Sequence, residues 1–119
     1  MTLESHKKIL VPEAQVLKAV LEFLNWNNYI QIRINPTRIF QRCGQTRFAP
    51  ISKAMLGCAD IITIIRGKPV AIECKSSNGK QSAAQVDFQK RWEASGGVYI
   101  LCRSRNEVIN YVLNKENGE

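Results

Sequence analysis

Two strand-forming segments separated by a short turn constrain the fold of this chain most strongly. Residues 60–66 and 69–75 consist mainly of β-branched and other apolar residues, and Gly67-Lys68 lies between them. Apolar segments of this length on either side of a glycine-containing turn are typical of a β-hairpin. The sequence therefore predicts two antiparallel strands that are connected by Gly67-Lys68.

The predicted hairpin brings three charged residues to one face of the sheet. In this register Asp60 lies opposite Lys75, and Asp60 and Glu73 are diagonal neighbours with backbone positions roughly 7–8 Å apart. Two carboxylates at this separation repel each other unless a proton or a cation neutralises them. Oxygen ligands without a histidine nearby favour Mg²⁺ or Mn²⁺. A solvent-exposed face with an Asp60–Lys75 ion pair is the alternative interpretation.

The remaining elements are predicted from hydrophobic periodicity and helix capping. They are helices over residues 12–28, 82–96 and 104–113 and strands over 29–35 and 98–102. The middle helix connects the third strand to the fourth, so these two strands should be parallel. The expected fold is an α/β domain with a mixed four-stranded sheet flanked by helices.

Length and composition are those of a single globular domain. The chain has 119 residues, of which 45% are hydrophobic and 23% are charged, and two separate cores would each be too small. We expect one domain over residues 1–119, with a core at about 12–113 and flexible ends at 1–8 and 114–119. Because no apolar segment reaches the roughly 18–20 residues of a membrane span, we expect a cytoplasmic protein.

Positive charge is concentrated in one part of the sequence. The chain has 17 Lys and Arg against 10 Asp and Glu, and residues 23–59 contain no acidic side chain. Such a basic segment attracts nucleic acid, although a solubilising surface would carry the same charge. Residues 36–59 lack clear periodicity and are expected to form a long loop that contacts DNA or a partner subunit. The candidate DNA-binding residues are Arg33, Arg38, Arg42, Arg47, Lys53 and Lys80.

The cysteines do not have the spacing of a zinc site. They are Cys43, Cys58, Cys74 and Cys102, with no CxxC pair and with His6 as the single histidine. Zinc sites normally contain paired ligands a few residues apart, and disulfides are rare in the cytoplasm. We therefore expect buried or half-buried free thiols.

Two polar residues fall on helix faces that are otherwise apolar. Glu13 lies on the same stripe as Val20 and Leu24 and is expected to point toward the core. Gln85 shares the apolar face of the second helix with Phe88. The alternatives without function are a first-turn glutamate that stabilises the helix dipole and a glutamine in a capping box.

These features belong to an ordered series of short motifs along the chain. After the helix with Glu13 come Gly57-Cys58-Ala59-Asp60, Ile72-Glu73-Cys74-Lys75 and Ser82-Ala83-Ala84-Gln85. Over residues 13–108 the chain resembles the virus-type replication-repair nuclease (VRR-NUC) branch of the PD-(D/E)XK nucleases. It departs from the family pattern at Ala59, where proline is usual. This position affects the stiffness of the backbone and is not a ligand.

The resemblance implies both a fold and an activity. The fold is the αβββαβ core of the PD-(D/E)XK nucleases. The activity is hydrolysis of DNA phosphodiester bonds with Mg²⁺ or Mn²⁺ and without a small-molecule cofactor. Free-standing members are similar to Holliday junction resolvases and are often homodimers. The chain is therefore expected to act on branched DNA during replication or repair, in a bacterial or phage-infected cell.

The resemblance also implies a set of metal ligands. Asp60 and Glu73 match the carboxylates that bind the ion, and the backbone carbonyl of Cys74 adds a third oxygen. Glu13 matches the helix-borne acid that holds the metal directly or through water.

Two further residues match the catalytic groups of the family. Lys75 matches the lysine that positions the attacking water and stabilises the charge that develops on the phosphate. Gln85 matches the glutamine of the helix near the same site. Two other functions stay open from the sequence: a non-catalytic DNA-binding module, and an inactive subunit of a replication or restriction assembly.

Overall fold

The computed structural model describes residues 10–34, 37–42, 45–50 and 56–114, with the backbone alone for 37–42 and 45–50. The described part of the chain forms three helices and six strands. In chain order they are α1 (Glu13–Trp26), β1 (Gln31–Arg33), β2 (Thr37–Arg42), β3 (Gln45–Pro50), β4 (Ile61–Ile65), β5 (Lys68–Cys74), α2 (Ala83–Ala94), β6 (Val98–Cys102) and α3 (Arg105–Leu113).

A mixed four-stranded sheet forms the centre of the molecule. Its strand order is β1-β4-β5-β6. β4 is antiparallel to both β1 and β5, whereas β5 and β6 are parallel. The parallel pair follows from the connection through α2, because a helical crossover returns the chain in the same direction. The predicted α/β class and the mixed four-stranded sheet are confirmed.

Helices cover both faces of this sheet. On one face, α1 and α3 pack on side chains such as Ile61, Val70 and Ile72. On the other face, Phe88 of α2 packs against Ala71 and neighbouring side chains. Because β5 is covered on both sides, every residue from Val70 to Cys74 is buried, and the strand does not show the alternation of a half-exposed sheet.

The turn of the central hairpin lies one residue earlier than predicted. Ile65 pairs with Lys68, so the two turn residues are Arg66 and Gly67. Both have positive φ angles, of 51° and 78°, as a type I′ turn requires. The Arg66 guanidinium donates hydrogen bonds to the carbonyls of Tyr111 and Val112 at the end of α3, at 2.9 and 2.6 Å. This contact holds the arginine in the turn.

The earlier turn changes the register but not the faces. Ile61 pairs with Ile72, so continuation of the ladder places Asp60 opposite Glu73 instead of opposite Lys75. The difference is two residues along one strand, and side chains alternate with a period of two. The three charged residues therefore stay on the same face, and the two carboxylates are direct neighbours instead of diagonal ones.

A second, two-stranded sheet lies within the segment that was expected to be irregular. β2 and β3 are antiparallel, with Arg38 paired with Ala49, Phe40 with Arg47 and Arg42 with Gln45. The prediction of a loop over residues 36–59 is thus wrong for these two stretches. Ile39 and Phe40 are adjacent in the sequence, so the apolar residues of β2 do not alternate with polar ones, and the segment lacks the period-two pattern of a half-buried strand.

The structure describes three of the four cysteines. Cys58, Cys74 and Cys102 are free thiols, and Cys74 and Cys102 are fully buried, as predicted. Cys43, His6 and the ends at 1–8 and 115–119 lie outside the described residues. In the part of the chain that the structure describes, no helix is long and apolar enough to cross a bilayer.

Candidate active site

Asp60 and Glu73 meet where β4 begins and β5 ends. The Oδ2 atom of Asp60 accepts a hydrogen bond from the backbone N–H of Cys74 at 2.8 Å. This bond crosses the hairpin at the rung next to Glu73. The two carboxyl groups are therefore held side by side by the backbone of two neighbouring strands.

Gly57 brings the segment before Asp60 against the first turn of α2. Its φ angle is 73°, which favours glycine. A Cβ atom at this position would overlap the carbonyl of Ala84 and would lie 2.7 Å from the amide nitrogen of Gln85. The glycine thus permits the close approach that places Asp60 and Gln85 at the same site.

Replacement of Gly57 by alanine should therefore unfold the site. We expect Gly57→Ala to lower the free energy of unfolding by more than about 2 kcal/mol, because strain at a positive φ angle adds to a clash with backbone atoms. Gly67 is the matched control, since its φ angle is 78° and a Cβ atom there has open space. Gly67→Ala should cost only about 1 kcal/mol. If urea denaturation showed the same decrease in the free energy of unfolding for both variants, the close approach of Gly57 to the first turn of α2 would be contradicted.

Glu73 is a buried carboxyl group with one unpartnered oxygen. The residue is only 3% exposed. Its Oε2 atom accepts a hydrogen bond from Nε2 of Gln85 at 2.8 Å and lies 3.8 Å from Nζ of Lys75. Its Oε1 atom is buried and has no hydrogen-bond partner among the described residues. An unpaired buried oxygen is costly, so this atom marks a position where a proton or a cation would be stabilising.

The electrostatic environment of Glu73 favours its neutral form. Burial raises the pKa of Glu73 to about 8, and the neighbouring charge of Asp60 contributes in the same direction. Lys75 opposes this shift without cancelling it. The pair of carboxyl groups therefore holds a proton near neutral pH, unless a cation takes the place of that proton.

The carboxyl pair suits a hard divalent ion. Mg²⁺ and Mn²⁺ prefer oxygen ligands, and Mg²⁺ is commonly held by one or two carboxylates with water and phosphate completing its shell. Asp60 and the unpartnered Oε1 atom of Glu73 fit this description. Among the described residues, however, no group of three or more His, Cys, Asp or Glu side chains could hold a metal ion.

Glu13 does not lie where the sequence placed it. The expectation that it points into the core is wrong, because it is the first residue of α1 and its side chain is exposed. Val16, one turn later on the same stripe, is the first residue of α1 that is buried. Glu13 remains close enough for its charge to contribute, as a minor cause, to the raised pKa of Glu73.

Gln85 caps α2 and also contacts Glu73. Its Oε1 atom accepts a hydrogen bond from the amide of Ser82 at 2.8 Å, while the Ser82 hydroxyl accepts one from the Gln85 amide. This capping box starts α2. Its Nε2 atom donates to Glu73, and so one side chain both caps the start of the helix and orients the buried carboxyl group.

Lys75 lies just beyond the end of β5. Its backbone N–H donates to the carbonyl of Cys102 at 2.9 Å, which continues the parallel ladder by one residue. Its side chain is 14% exposed and reaches Glu73. The ammonium group therefore stands at the rim of the carboxyl pair, with access to solvent.

The predicted DNA-binding residues lie in several parts of the molecule. Arg33 is exposed on the edge strand β1, and Lys80 is exposed in the loop before α2. Arg38, Arg42 and Arg47 occupy alternate rungs of the β2–β3 ladder, and Lys53 lies outside the described residues. Among the described residues, no hydrogen bond or ion pair joins Arg33 or Lys80 to the carboxyl pair.

A polar cluster beside the site is absent from the sequence predictions. Nε2 of Gln81 donates to Oε1 of Gln89 at 3.0 Å and to the hydroxyl oxygen of Tyr99 at 3.2 Å. The available signal was the spacing of the glutamines, since residues 81, 85 and 89 are four apart, although Gln81 itself precedes α2.

Comparison with family models, curated proteins and solved structures finds no match to this chain. A function is therefore inferred from the residues and geometry of the chain itself.

Proposed function

We propose that this chain is a Mg²⁺- or Mn²⁺-dependent endodeoxyribonuclease with the PD-(D/E)XK core of the VRR-NUC branch. The observation that carries the proposal is the buried Oε1 atom of Glu73, which has no partner among the described residues and belongs to a carboxyl group that feels the charge of Asp60. Lys75 and Gln85 flank it. A structural ion pair would not need a second acid next to a buried, unpartnered carboxyl oxygen.

Asp60 and Glu73 are the side chains that would hold the ion, with the carbonyl of Cys74 and water near Glu13 as further oxygen ligands. A bound divalent ion neutralises charge on a phosphate and makes water more acidic, which supplies hydroxide near neutral pH. Gln85 donates a hydrogen bond to Oε2 of Glu73, which leaves Oε1 available for the ion. The backbone N–H of Cys74 likewise donates a hydrogen bond to Oδ2 of Asp60 and so fixes the position of that carboxyl group.

Lys75 supplies positive charge for the reaction. Its ammonium group is held near Glu73 by the ion pair and can turn toward a phosphate at the rim of the site. There it would orient the attacking water and stabilise the additional negative charge of the transition state. Because the lysine is only slightly exposed, solvent screens its attraction to a phosphate less than it would for a surface lysine.

Binding of DNA in this proposal depends on the excess of basic residues. The net charge is +7, and lysine and arginine contacts to phosphates position a duplex without reading its sequence. We therefore propose that the shape of branched DNA, such as a Holliday junction, selects the substrate. The active form would be a homodimer, whose two-fold symmetry suits two cuts in one junction.

The direct test is cleavage of a panel of labelled DNA substrates by the purified chain. The panel contains a four-way junction, a flap, a nicked duplex and an intact duplex, each with Mg²⁺, Mn²⁺ or EDTA. We expect cuts in the branched substrates with either ion and none with EDTA. Cleavage that persists in EDTA, or no cleavage with either ion, would contradict the proposal.

The second candidate function is a non-catalytic DNA-binding module. It is favoured by the lack of a third acid beside Asp60 and Glu73 among the described residues, together with the positive net charge. Such a module would bind branched DNA equally well in EDTA and in Mg²⁺ and would release no product. Metal-dependent product in the panel excludes it.

The β2–β3 hairpin provides a test of the binding surface. We expect Arg38→Ala and Arg42→Ala to weaken DNA binding and to reduce the slope of log K against log salt by about 0.9 for each phosphate that the arginine neutralised. Arg105→Ala is a control, because Arg105 is exposed at the start of α3. An unchanged salt slope in the hairpin variants, measured by fluorescence anisotropy, would exclude the hairpin from the DNA-binding surface.

A further inference from the structure

The polar cluster beside the carboxyl pair contains a tyrosine with an uncommitted hydroxyl hydrogen. Tyr99 is buried, and its ring packs with Phe88 and Ala71 on the α2 side of the sheet. Its hydroxyl oxygen accepts a hydrogen bond from Nε2 of Gln81. Since an amide nitrogen can only donate, the phenol acts as the acceptor in this contact. No acceptor among the described residues takes its own hydrogen, which is therefore available for a different acceptor.

Gln81 is itself held in the orientation that this contact requires. The same Nε2 atom donates to Oε1 of Gln89, which lies on α2. The amide of Gln81 is thus fixed by two acceptors, Gln89 and Tyr99. These two hydrogen bonds fix the amide more firmly than burial of the tyrosine requires, because a water molecule could satisfy the phenol oxygen.

The phenol lies on the same side of the sheet as the carboxyl pair. Tyr99 pairs with Ala71, which is two residues before Glu73 on β5 and therefore on the same face. Gln81 stands four residues before Gln85, the residue that binds Glu73. Burial and the charges of Glu73 and Asp60 raise the pKa of Tyr99 to about 12. The phenol consequently keeps its proton over the pH range in which the chain would act.

We infer that the Tyr99 hydroxyl donates a hydrogen bond to a non-bridging oxygen of the DNA phosphate bound at the Asp60–Glu73 site, with Gln81 as its positioning residue. This inference rests on the proposed nuclease function. A neutral donor suits this location, because another cation would compete with the metal ion for the carboxylates. The phosphate oxygen is an anionic acceptor, and hydrogen bonds to charged acceptors are stronger than those between neutral groups.

The test is the single-turnover rate of cleavage of a four-way junction by Tyr99→Phe. This substitution removes the hydroxyl and keeps the ring in its apolar contacts. We expect a rate loss of about tenfold or more at saturating enzyme, with a thermal midpoint within about 2 °C of that of the wild type. Tyr111→Phe is the matched control: Tyr111 is equally buried but lies on the opposite side of the sheet, and its variant should cleave at the wild-type rate.

A second variant separates a positioning role from a structural one. Gln81→Leu should slow cleavage in the wild-type background but not in the Tyr99→Phe background, since the hydroxyl that Gln81 orients is then absent. Additive losses in the double variant would overturn the inference, as would full activity of Tyr99→Phe. Those outcomes leave the nuclease proposal intact, whereas a wild type that cleaves no substrate with either ion overturns both.

Discussion

Asp60→Asn and Glu73→Gln should each reduce metal-dependent cleavage by about a thousandfold or more, while DNA binding changes little. Each substitution keeps the size of the side chain but removes a negative charge from the carboxyl pair at the site. A loss of several kcal/mol of transition-state stabilisation corresponds to a rate loss of this size. The measurements are initial rates with Mg²⁺ and Mn²⁺, together with binding of a labelled junction in Ca²⁺.

The matched control for these variants is Asp87→Asn. Asp87 is an exposed acid on α2 that forms an ion pair with Arg91 at 3.0 Å, so it has the same chemistry as Asp60 without contact with the site. We expect the Asp87 variant to cleave at the wild-type rate. A nuclease that tolerates loss of either Asp60 or Glu73 would use a different site, and the role assigned to the buried carboxyl pair would then be wrong.

Local sequence signals predicted the elements that depend on local chemistry. The capping boxes at Ser82 and Ser104 mark the starts of α2 and α3, because their hydrogen bonds join residues three apart. The common face of Asp60, Glu73 and Lys75 was equally predictable, since alternation along a strand does not depend on the exact turn. Strand alternation singled out Glu73, whereas Gln85 was singled out by its place in the capping box and on the apolar face of the second helix.

The errors arose where distant contacts decide the structure. Arg66 takes a positive φ angle in the turn because its guanidinium binds the end of α3, and no pattern within the hairpin contains that information. Glu13 was placed in the core from its angle around the helix, but the angle says nothing about how far the core extends along α1. Leu10 precedes α1 and is 64% exposed, so the core does not extend to this end of the helix.

The stability of the metal-free protein should fall as the pH rises toward and through about 8. Glu73 has a pKa of about 8 in the folded chain, against 4.5 for an ordinary glutamate. Between these values the folded protein holds a proton that the unfolded chain has released. Its stabilising contribution is complete below about pH 4.5 and is lost as the pH rises through 8. The total change expected from this group is a few kcal/mol.

Glu73→Gln should remove this pH dependence and stabilise the metal-free protein at pH 9 by a few kcal/mol, because a neutral amide replaces a buried charge. Glu93→Gln, which changes an exposed glutamate of α2, should leave the profile unchanged. Mg²⁺ should stabilise the wild type by about 2.7 kcal/mol at one hundred times its dissociation constant, and should stabilise the Glu73 variant much less. Urea denaturation in EDTA and in Mg²⁺ measures both effects. If the stability of the wild type in EDTA stays constant or rises between pH 6 and 9, Glu73 is already a carboxylate in the metal-free protein. The unpartnered oxygen would then require neither a proton nor a metal ion.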